Sequence, residues 1–160
     1  MIIVEGMDNS GKSTLIEHLG KELCLPTARS NYVRANQSEV REWANWANAS
    51  PRPLIVDRHP AISDLIYGKI IRGFTHSSES FAQEMRARHF LIYCSPPLHC
   101  IKESFGEREQ MKGTHKNLET LYYAYEELMD RIKPDFFYDY NNPQHLVALT
   151  NQVRKAIYSM

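Results

Sequence analysis

The chain has 160 residues, 42% hydrophobic and 24% charged, a composition typical of a globular protein with one sizeable core. Nineteen basic side chains balance nineteen acidic ones, so the zero formal net charge provides no field that would bind nucleic acid or an anionic membrane nonspecifically. The apolar runs are far shorter than the roughly 18 residues that a membrane-spanning helix needs. We therefore expect a single domain over residues 1–160 that does not bind a membrane.

Short apolar runs alternate with helical patterns through the first half of the chain. The run Met1–Val4 is typical of a buried strand, and Leu15 and Leu19 follow it at helical spacing. Pro60 suits the first turn of a later helix, which Gly73 would end. The predicted elements are a strand at 1–4, a helix at 12–23, a short strand between Arg29 and Arg34, a helix capped by Ser38 and ended by 50–53, a strand at 54–56, and a helix from Pro60 to Gly73.

The same alternation continues to the last residues. Leu118, Leu121, Tyr125 and Leu128 have the spacing of a long amphipathic helix, and Phe90–Cys94 is an apolar run followed by prolines. Strands that alternate with helices predict an α/β fold with a parallel sheet covered on both faces. The predicted elements are a helix from Ser77 or Ser78 to Arg88, a strand at 90–94, a polar lid-like segment at 106–116, a helix at 118–132, a strand at 136–138 and a helix at 146–157.

A phosphate-binding motif lies between the first predicted strand and the first predicted helix. Residues 6–13, GMDNSGKS, satisfy G-x-x-x-x-G-K-[ST] and are called the P-loop below. In this motif, loop N–H groups and the helix dipole bind phosphate oxygens, the lysine neutralises the outer phosphates and the serine hydroxyl ligates Mg²⁺. The motif predicts a bound nucleoside triphosphate and Mg²⁺. The predicted cofactor-binding residues are Gly6, Asn9, Ser10, Gly11, Lys12, Ser13 and Thr14.

A second polar cluster follows the strand at 54–56, at the carboxyl end where open α/β sheets bind their ligands. Asp57 could hold the hydration shell of the metal or accept a proton from an attacking hydroxyl. Arg58 could bind an acceptor phosphate or the migrating phosphoryl group. The alternative is that Asp57 and Arg58 form an ordinary ion pair at a strand end.

Nucleotide binding alone leaves phosphoryl transfer, hydrolysis and switching open. The chain lacks the Asn-Lys-x-Asp segment that reads guanine in GTP switches, and its length leaves no room for a second large domain. A compact domain with two polar clusters favours a phosphotransferase over a motor or a switch. A non-kinase NTPase or nucleotide-controlled binding module is the remaining alternative.

Two stretches resemble the motifs of P-loop kinases. EGMDNSGKST at 5–14 and DRHPAISDLIYG at 57–68 are similar to the opening loop and the Asp-Arg-aromatic motif of the thymidylate kinase and deoxynucleoside kinase group. The short length resembles phage kinases of this group. The resemblance implies a three-layer P-loop NTPase fold with five parallel strands, and a lid at 106–116 that carries Arg108. It also implies ATP and Mg²⁺ as cofactors, and an acceptor pocket lined by Asp8, Asp57, Arg58, Ser63 and Tyr67.

The residues and the resemblance together predict a reaction centre. Lys12, Asp57, Arg58, Arg108 and Asp8 are the predicted catalytic residues, and Ser13 and Asp57 the predicted metal ligands. For Arg29 and Arg34 we expect contacts with the acceptor, or else an ordinary surface role. For Arg72 we expect a contact with the acceptor, or else with the C-terminal end of its own helix dipole. The seven histidines show no zinc-binding spacing.

Departures from the family leave the acceptor open. Gly68 stands where thymidylate kinases carry a glutamine that reads the base, and the predicted lid is short. A free deoxynucleoside monophosphate has the family's support, and a free nucleoside is a second possibility. The third is a base in DNA such as 5-hydroxymethyluracil, which some phage kinases of this type are thought to phosphorylate. Trp43 and Trp46 could then stack on DNA, although the more usual role of tryptophan is core packing.

Three further expectations concern the setting of the protein. The cysteines are odd in number and lack CxxC spacing, and no apolar leader precedes the first strand, which together predict a cytoplasmic location. For a phage-encoded chain this would be the host cytoplasm. The resemblance also implies possible homodimers, formed through helices beside the sheet.

Overall fold

A parallel sheet forms the centre of the fold in the computed structural model, which describes residues 1–30, 36–105 and 116–159. Its five strands are β1 (Ile2–Glu5), β2 (Thr27–Arg29), β3 (Ile55–Asp57), β4 (Phe90–Cys94) and β5 (Phe136–Tyr138). They lie in the order β2-β3-β1-β4-β5, and every neighbouring pair is parallel. The predicted α/β fold with a five-stranded parallel sheet is confirmed.

Helices connect the strands and cover both faces of the sheet. None of the helices in the described ranges is long and apolar enough to cross a membrane. The helices are α1 (Lys12–Leu23), α2 (Gln37–Asn48), α3 (Pro60–Ser63) continued by a π-helix (Asp64–Arg72), α4 (Glu79–Arg88), α5 (Leu98–Glu103), α6 (Leu118–Ile132) and α7 (His145–Tyr158).

Two apolar cores lie on opposite faces of the sheet, because successive strand residues point to opposite sides. Ile3, Val56 and Leu91 face the core formed with α2, α3, the π-helix, α4 and α6. Ile2 and Ile55 face the smaller core formed with α1 and α7. The result is a three-layer arrangement in which the P-loop joins β1 to α1 at the carboxyl edge of the sheet.

The structure corrects three details of the predicted elements. The second strand runs over Thr27–Arg29, earlier than predicted, so Arg29 lies in it. Helix α2 is capped by Asn36 and not by Ser38, because the Asn36 side chain accepts from the Glu39 N–H at 3.0 Å and the Glu39 carboxylate accepts from the Asn36 N–H at 3.2 Å. Helix α5 was not predicted. Its six residues are too few for a periodic signal.

The helix predicted from Pro60 to Gly73 changes type after one turn. Pro60–Ser63 is α-helical, and the next nine residues, Asp64–Arg72, form a π-helix that ends at Gly73 in a left-handed conformation (φ 87°). A Cβ atom at Gly68 would lie 2.7 Å from Nη2 of Arg72 and 2.8 Å from Oδ1 of Asp64. The glycine that departs from the family motif therefore lies in close packing with the Asp64–Arg72 pair, which would have to shift to admit a side chain. π-Helices are frequent at functional sites.

Candidate active site

The P-loop adopts a conformation that its glycines make possible. Gly6 (φ 144°), Asn9 (φ 62°) and Gly11 (φ 86°) all have positive φ angles. A Cβ atom at Gly6 would lie 2.8 Å from the backbone carbonyl oxygen of Cys94, and one at Gly11 would lie 2.8 Å from the ring of Tyr140. Backbone and side-chain neighbours thus leave no room for larger residues at either glycine of the motif.

Lys12 is held inside the loop that carries it. Its side chain is buried, and its ammonium group donates a hydrogen bond of 2.6 Å to the carbonyl oxygen of Met7. Burial, followed by the charge of Arg58, lowers the pKa of Lys12 to about 8, although Asp57 and Asp8 oppose the shift. A phosphate oxygen beside this ammonium would favour its charged form, so the site is suited to an anion.

The start of α1 adds further donors for an anion. Gly11 is the N-cap residue, and no side chain in the described part of the protein caps this helix end. The first N–H groups of the helix therefore remain available to phosphate, at the positive end of the helix dipole. Ser13 and Thr14, in the first turn, are exposed. The predicted cofactor-binding residues are thus brought together in one continuous loop and helix start.

Asp57 ends β3 beside the P-loop strand and is half-buried. Its Oδ1 atom is buried and has no hydrogen-bond partner among the described residues, and Oδ2 lies 3.7 Å from Nε of Arg29. Arg29 is 74% exposed, so this pair is weak. A buried carboxylate oxygen that lacks a donor is suited to a hydrated cation.

Two residues of this site are suited to a Mg²⁺ ion that binds together with a nucleotide. Ser13 and Asp57 offer hydroxyl and carboxylate oxygens, which are the ligands that Mg²⁺ prefers. The described ranges contain no group of three His, Cys, Asp or Glu side chains able to hold a metal ion by themselves. Phosphate oxygens and water would have to complete the coordination.

Arg58 links the P-loop to the π-helix. Its buried guanidinium donates through Nη2 to Oδ1 of Asp8 at 2.5 Å and to the hydroxyl of Tyr67 at 2.9 Å, and through Nε to the carbonyl of Gly6 at 3.3 Å. The guanidinium carbon also lies 4.7 Å from the centre of the Tyr67 ring. The structure therefore pairs Arg58 with Asp8, so the alternative of an ion pair with Asp57 is wrong.

Glu5 is a member of the site that we did not predict. It is fully buried at the end of β1, where its Oε1 accepts from the His59 N–H at 2.7 Å and its Oε2 accepts from the Tyr125 hydroxyl at 3.1 Å. Burial raises its pKa to about 7, against the effects of the His59 hydrogen bond and of the charges on Arg58 and Lys12. The available signal was a carboxylate directly after three buried aliphatic residues, the same signal that drew attention to Asp57.

Two of the predicted acceptor residues make their described contacts elsewhere. The Ser63 hydroxyl is buried and donates to the carbonyl oxygen of His59 at 3.1 Å. Arg72 pairs with Asp64, and its guanidinium carbon lies 5.2 Å from the centre of the Phe74 ring. Both residues thus support the helix that carries Tyr67. Arg34, Arg108 and all of the predicted lid except Lys116 lie outside the described residues.

The two tryptophans of α2 have different environments. Trp43 is half-buried and packs edge-on against the ring of His59, with ring centres 5.2 Å apart. Trp46 is 60% exposed and contacts Trp43 at 6.0 Å between ring centres. Burial lowers the pKa of His59 to about 3, so this imidazole is neutral. Trp43 therefore belongs to the packed interior near the site, and Trp46 offers an aromatic surface to solvent.

Comparison with known proteins identifies the fold. No family model matches the chain, and no curated protein matches it in sequence. Among solved structures, the YorR protein of Bacillus subtilis in complex with phosphorylated GDP is 20% identical with a TM-score of 0.75, over 98% of this chain and 95% of that one. Shikimate kinase of Acinetobacter baumannii in complex with shikimate is 15% identical with a TM-score of 0.62, over 99% and 92%.

A gluconokinase of Sinorhizobium meliloti is also similar, at 15% identity and a TM-score of 0.56, over 98% of this chain and 94% of that chain. Kinases thus recur among proteins that match nearly the whole chain. The protein has the fold of the P-loop kinases. At identities this low, the similarity supports a shared fold and no specific activity. The finer resemblance to thymidylate kinases depends on the two motifs, at 5–14 and 57–68.

Proposed function

We propose that the protein is a phosphotransferase that moves the γ-phosphate of ATP to a nucleoside-type acceptor, first of all a thymidylate-like deoxynucleoside monophosphate. The proposal rests on one observation. The P-loop contains Lys12, expected to bind the donor, and Asp8, which contacts Arg58. Arg58 directly follows β3 and is expected to bind the acceptor. A loop that contributes to both sides of a reaction would set donor and acceptor at a fixed separation, which is the main source of rate in phosphoryl transfer.

On the donor side, the loop backbone, Lys12 and the start of α1 bind the triphosphate. Ser13 and Asp57 would hold Mg²⁺, which when bound neutralises charge on the phosphate oxygens. Lys12 adds a positive charge that is already desolvated, so its attraction to developing negative charge is strong. Thr14 follows in the first turn of α1 and adds its N–H group to the same anion site.

On the acceptor side, Arg58 and Asp8 orient the attacking group. A bond forms between the acceptor oxygen and the γ-phosphorus as the bond from that phosphorus to the β,γ-bridging oxygen breaks, and ADP leaves. A phosphate acceptor attacks with an ionised oxygen, and Arg58 offsets its charge. A hydroxyl acceptor must lose a proton, which Asp57 or Asp8 accepts. Arg108, from the predicted lid, is proposed to stabilise the transferring phosphoryl group.

A second candidate is transfer to a modified base in DNA, such as 5-hydroxymethyluracil. The exposed ring of Trp46 favours it, because aromatic rings stack on unpaired bases irrespective of sequence. The short predicted lid would also leave room for a polymer. A free nucleoside is the third acceptor, and an NTPase without a separate acceptor is the alternative outside the kinases.

From the resemblance to the thymidylate kinase group, we also propose that the protein can form a homodimer.

The test is transfer of radiolabelled γ-phosphate from ATP, and in parallel from GTP, to a panel of acceptors. The panel holds deoxynucleosides, deoxynucleoside monophosphates, duplex DNA with ordinary or 5-hydroxymethyl pyrimidines, and shikimate and gluconate, the latter two suggested by the names of the structural neighbours. Label in a monophosphate supports the first candidate, and label in DNA alone supports the second. Release of label only as inorganic phosphate, at a rate that no acceptor changes, would contradict a phosphotransferase.

A further inference from the structure

The peptide bond between Arg58 and His59 is held at both of its polar atoms by side chains that the proposed mechanism does not use. Its carbonyl oxygen accepts from the Ser30 hydroxyl at 3.0 Å, and its N–H donates to Oε1 of Glu5 at 2.7 Å. Ser30 and Glu5 are both buried, so water does not compete for these bonds. Because the peptide unit is planar, fixing both atoms fixes the ψ angle of Arg58 and the φ angle of His59.

Arg58 needs this support because its own conformation is unfavourable. Its φ angle is 61°, in the left-handed region that residues with a side chain seldom occupy. Residues keep such a conformation only where their surroundings hold them, and these positions cluster at functional sites. Here the conformation directs the guanidinium back toward the P-loop, where it meets Asp8 and the carbonyl of Gly6.

Glu5 is connected to Arg58 by a second route as well. The other carboxylate oxygen of Glu5 accepts from the Tyr125 hydroxyl at 3.1 Å. The ring of Tyr125 packs edge-on against that of Tyr67 with centres 6.0 Å apart, and the Tyr67 hydroxyl accepts from Arg58. The backbone of Arg58 and its side chain are therefore both supported by contacts that lead to one buried carboxylate.

We propose that Glu5 is a positioning residue for phosphoryl transfer, which together with Ser30 holds the Arg58–His59 peptide so that the Arg58 guanidinium faces Asp8. The inference rests on the proposed function, because the placement of Arg58 affects a rate only if phosphoryl transfer occurs. Glu5 acts through Arg58 and contributes no reacting atom.

A set of variants tests this role. Glu5→Met removes the acceptor of the His59 N–H and should lower kcat at least about tenfold, with the KM for ATP changed less than about threefold. Glu5→Gln keeps a carbonyl oxygen toward that N–H and should restore kcat to within about threefold of the wild type. The matched control is Asp135→Asn, since this carboxylate also accepts a backbone N–H, that of Leu91 at 2.8 Å, but lies at the opposite edge of the sheet. It should leave kcat unchanged.

A double-mutant cycle shows whether Glu5 works through Arg58. On an Arg58→Lys background, which already lacks the guanidinium, Glu5→Met should lower the remaining kcat by less than about twofold. Equal tenfold losses on both backgrounds would overturn the inference, as would a folded Glu5→Met variant with the kcat of the wild type. If Glu5→Met does not fold, the Ser30→Ala variant tests the inference instead, and a Ser30→Ala variant with the kcat of the wild type would overturn the inference.

Failure of the proposed function would look different. A wild type that transfers no label to any acceptor would overturn the function, and this inference with it. A wild type that transfers label, while Glu5→Met keeps the same kcat, would overturn the inference alone.

Discussion

The proposed donor side and the proposed acceptor side of the site are built in different ways. Apart from Asp57, the proposed donor side is one short segment, the P-loop and the start of α1, whose residues lie next to each other in sequence. The acceptor side joins β3, the π-helix and the P-loop through contacts between residues about fifty positions apart, such as Arg58 and Asp8. The P-loop depends mainly on its local sequence, whereas the acceptor side depends on contacts that form only when the whole domain is folded. We therefore expect donor binding to tolerate distant substitutions better than acceptor use does.

The largest effect should come from removing the donor-side cation. Lys12→Met should lower phosphoryl transfer by at least about a hundredfold, because a desolvated charge beside the migrating group is lost. The variant should nevertheless fold with a melting temperature at least equal to that of the wild type, since burial of this ammonium is costly. Lys21→Met, an exposed lysine of the same helix, is the control. Near-normal turnover by Lys12→Met would contradict the assignment of the donor site.

A substitution at Asp57 tests the residue that is proposed to act on both the donor side and the acceptor side. Asp57→Asn should lower kcat by about 10- to 100-fold and change ATP affinity much less, because the neutral amide is a poorer ligand for hydrated Mg²⁺ and cannot accept a proton. Asp130→Asn, an exposed aspartate on α6, should change neither quantity. Steady-state rates and titration of ATP binding supply the two measurements. A kcat unchanged by Asp57→Asn would remove Asp57 from the catalytic residues.

Glu5 should make the stability of the fold depend on pH. Its pKa is about 7 in the folded protein and near 4.5 when unfolded, so the folded state binds this proton more tightly. The resulting stabilisation is complete below about pH 4.5 and is lost as the pH rises through 7, by at most about 3 kcal/mol. Denaturant unfolding of the wild type and of Glu5→Gln at several pH values measures it. The difference between their unfolding free energies should shift in favour of the variant from pH 5 to 8, and parallel curves would contradict the account.

The smallest effect concerns the π-helix of the acceptor side. Gly68→Ala should lower the free energy of unfolding by about 1–3 kcal/mol, because its methyl group would meet Oδ1 of Asp64 and, at 3.0 Å, the backbone oxygen of Phe74. It should also raise the KM for the acceptor more than that for ATP. Gly73→Asn is the matched control, since nothing lies within 4 Å of a Cβ there and asparagine tolerates the left-handed conformation. A Gly68→Ala variant as stable as Gly73→Asn would show that the packing is not tight.

The P-loop and the start of α1 could be predicted from sequence because their pattern is local. Gly6, Gly11, Lys12 and Ser13 are specified by a spacing that also fixes their place between a strand and a helix. The parallel sheet followed from the alternation of apolar runs and helical patterns, and the structure confirms it. Asp57 and Arg58 could be selected because charged residues at the end of a buried strand must point into the crevice or find a partner.

The partners on the acceptor side could not be predicted in the same way. No residue near Arg58 in sequence indicates that Arg58 contacts Asp8. Nor does local sequence indicate that Glu5 accepts a hydrogen bond from the N–H of His59, the residue after Arg58. In the π-helix, the Asp64 carboxylate binds Arg72 and the N–H groups of His76 and Ser77, and helical periodicity does not report such bonds. Tertiary contacts, and not local pattern, determine this half of the site.

The most direct test of the account is whether ADP formation depends on an acceptor. Purified protein with ATP and Mg²⁺ should form ADP slowly when alone and many times faster with the correct member of the acceptor panel, and one labelled phosphate should appear on the acceptor for each ADP. Lys12→Met should abolish both signals. ADP formation that no acceptor accelerates, with all of the label recovered as inorganic phosphate, would contradict the claim that this protein is a phosphotransferase.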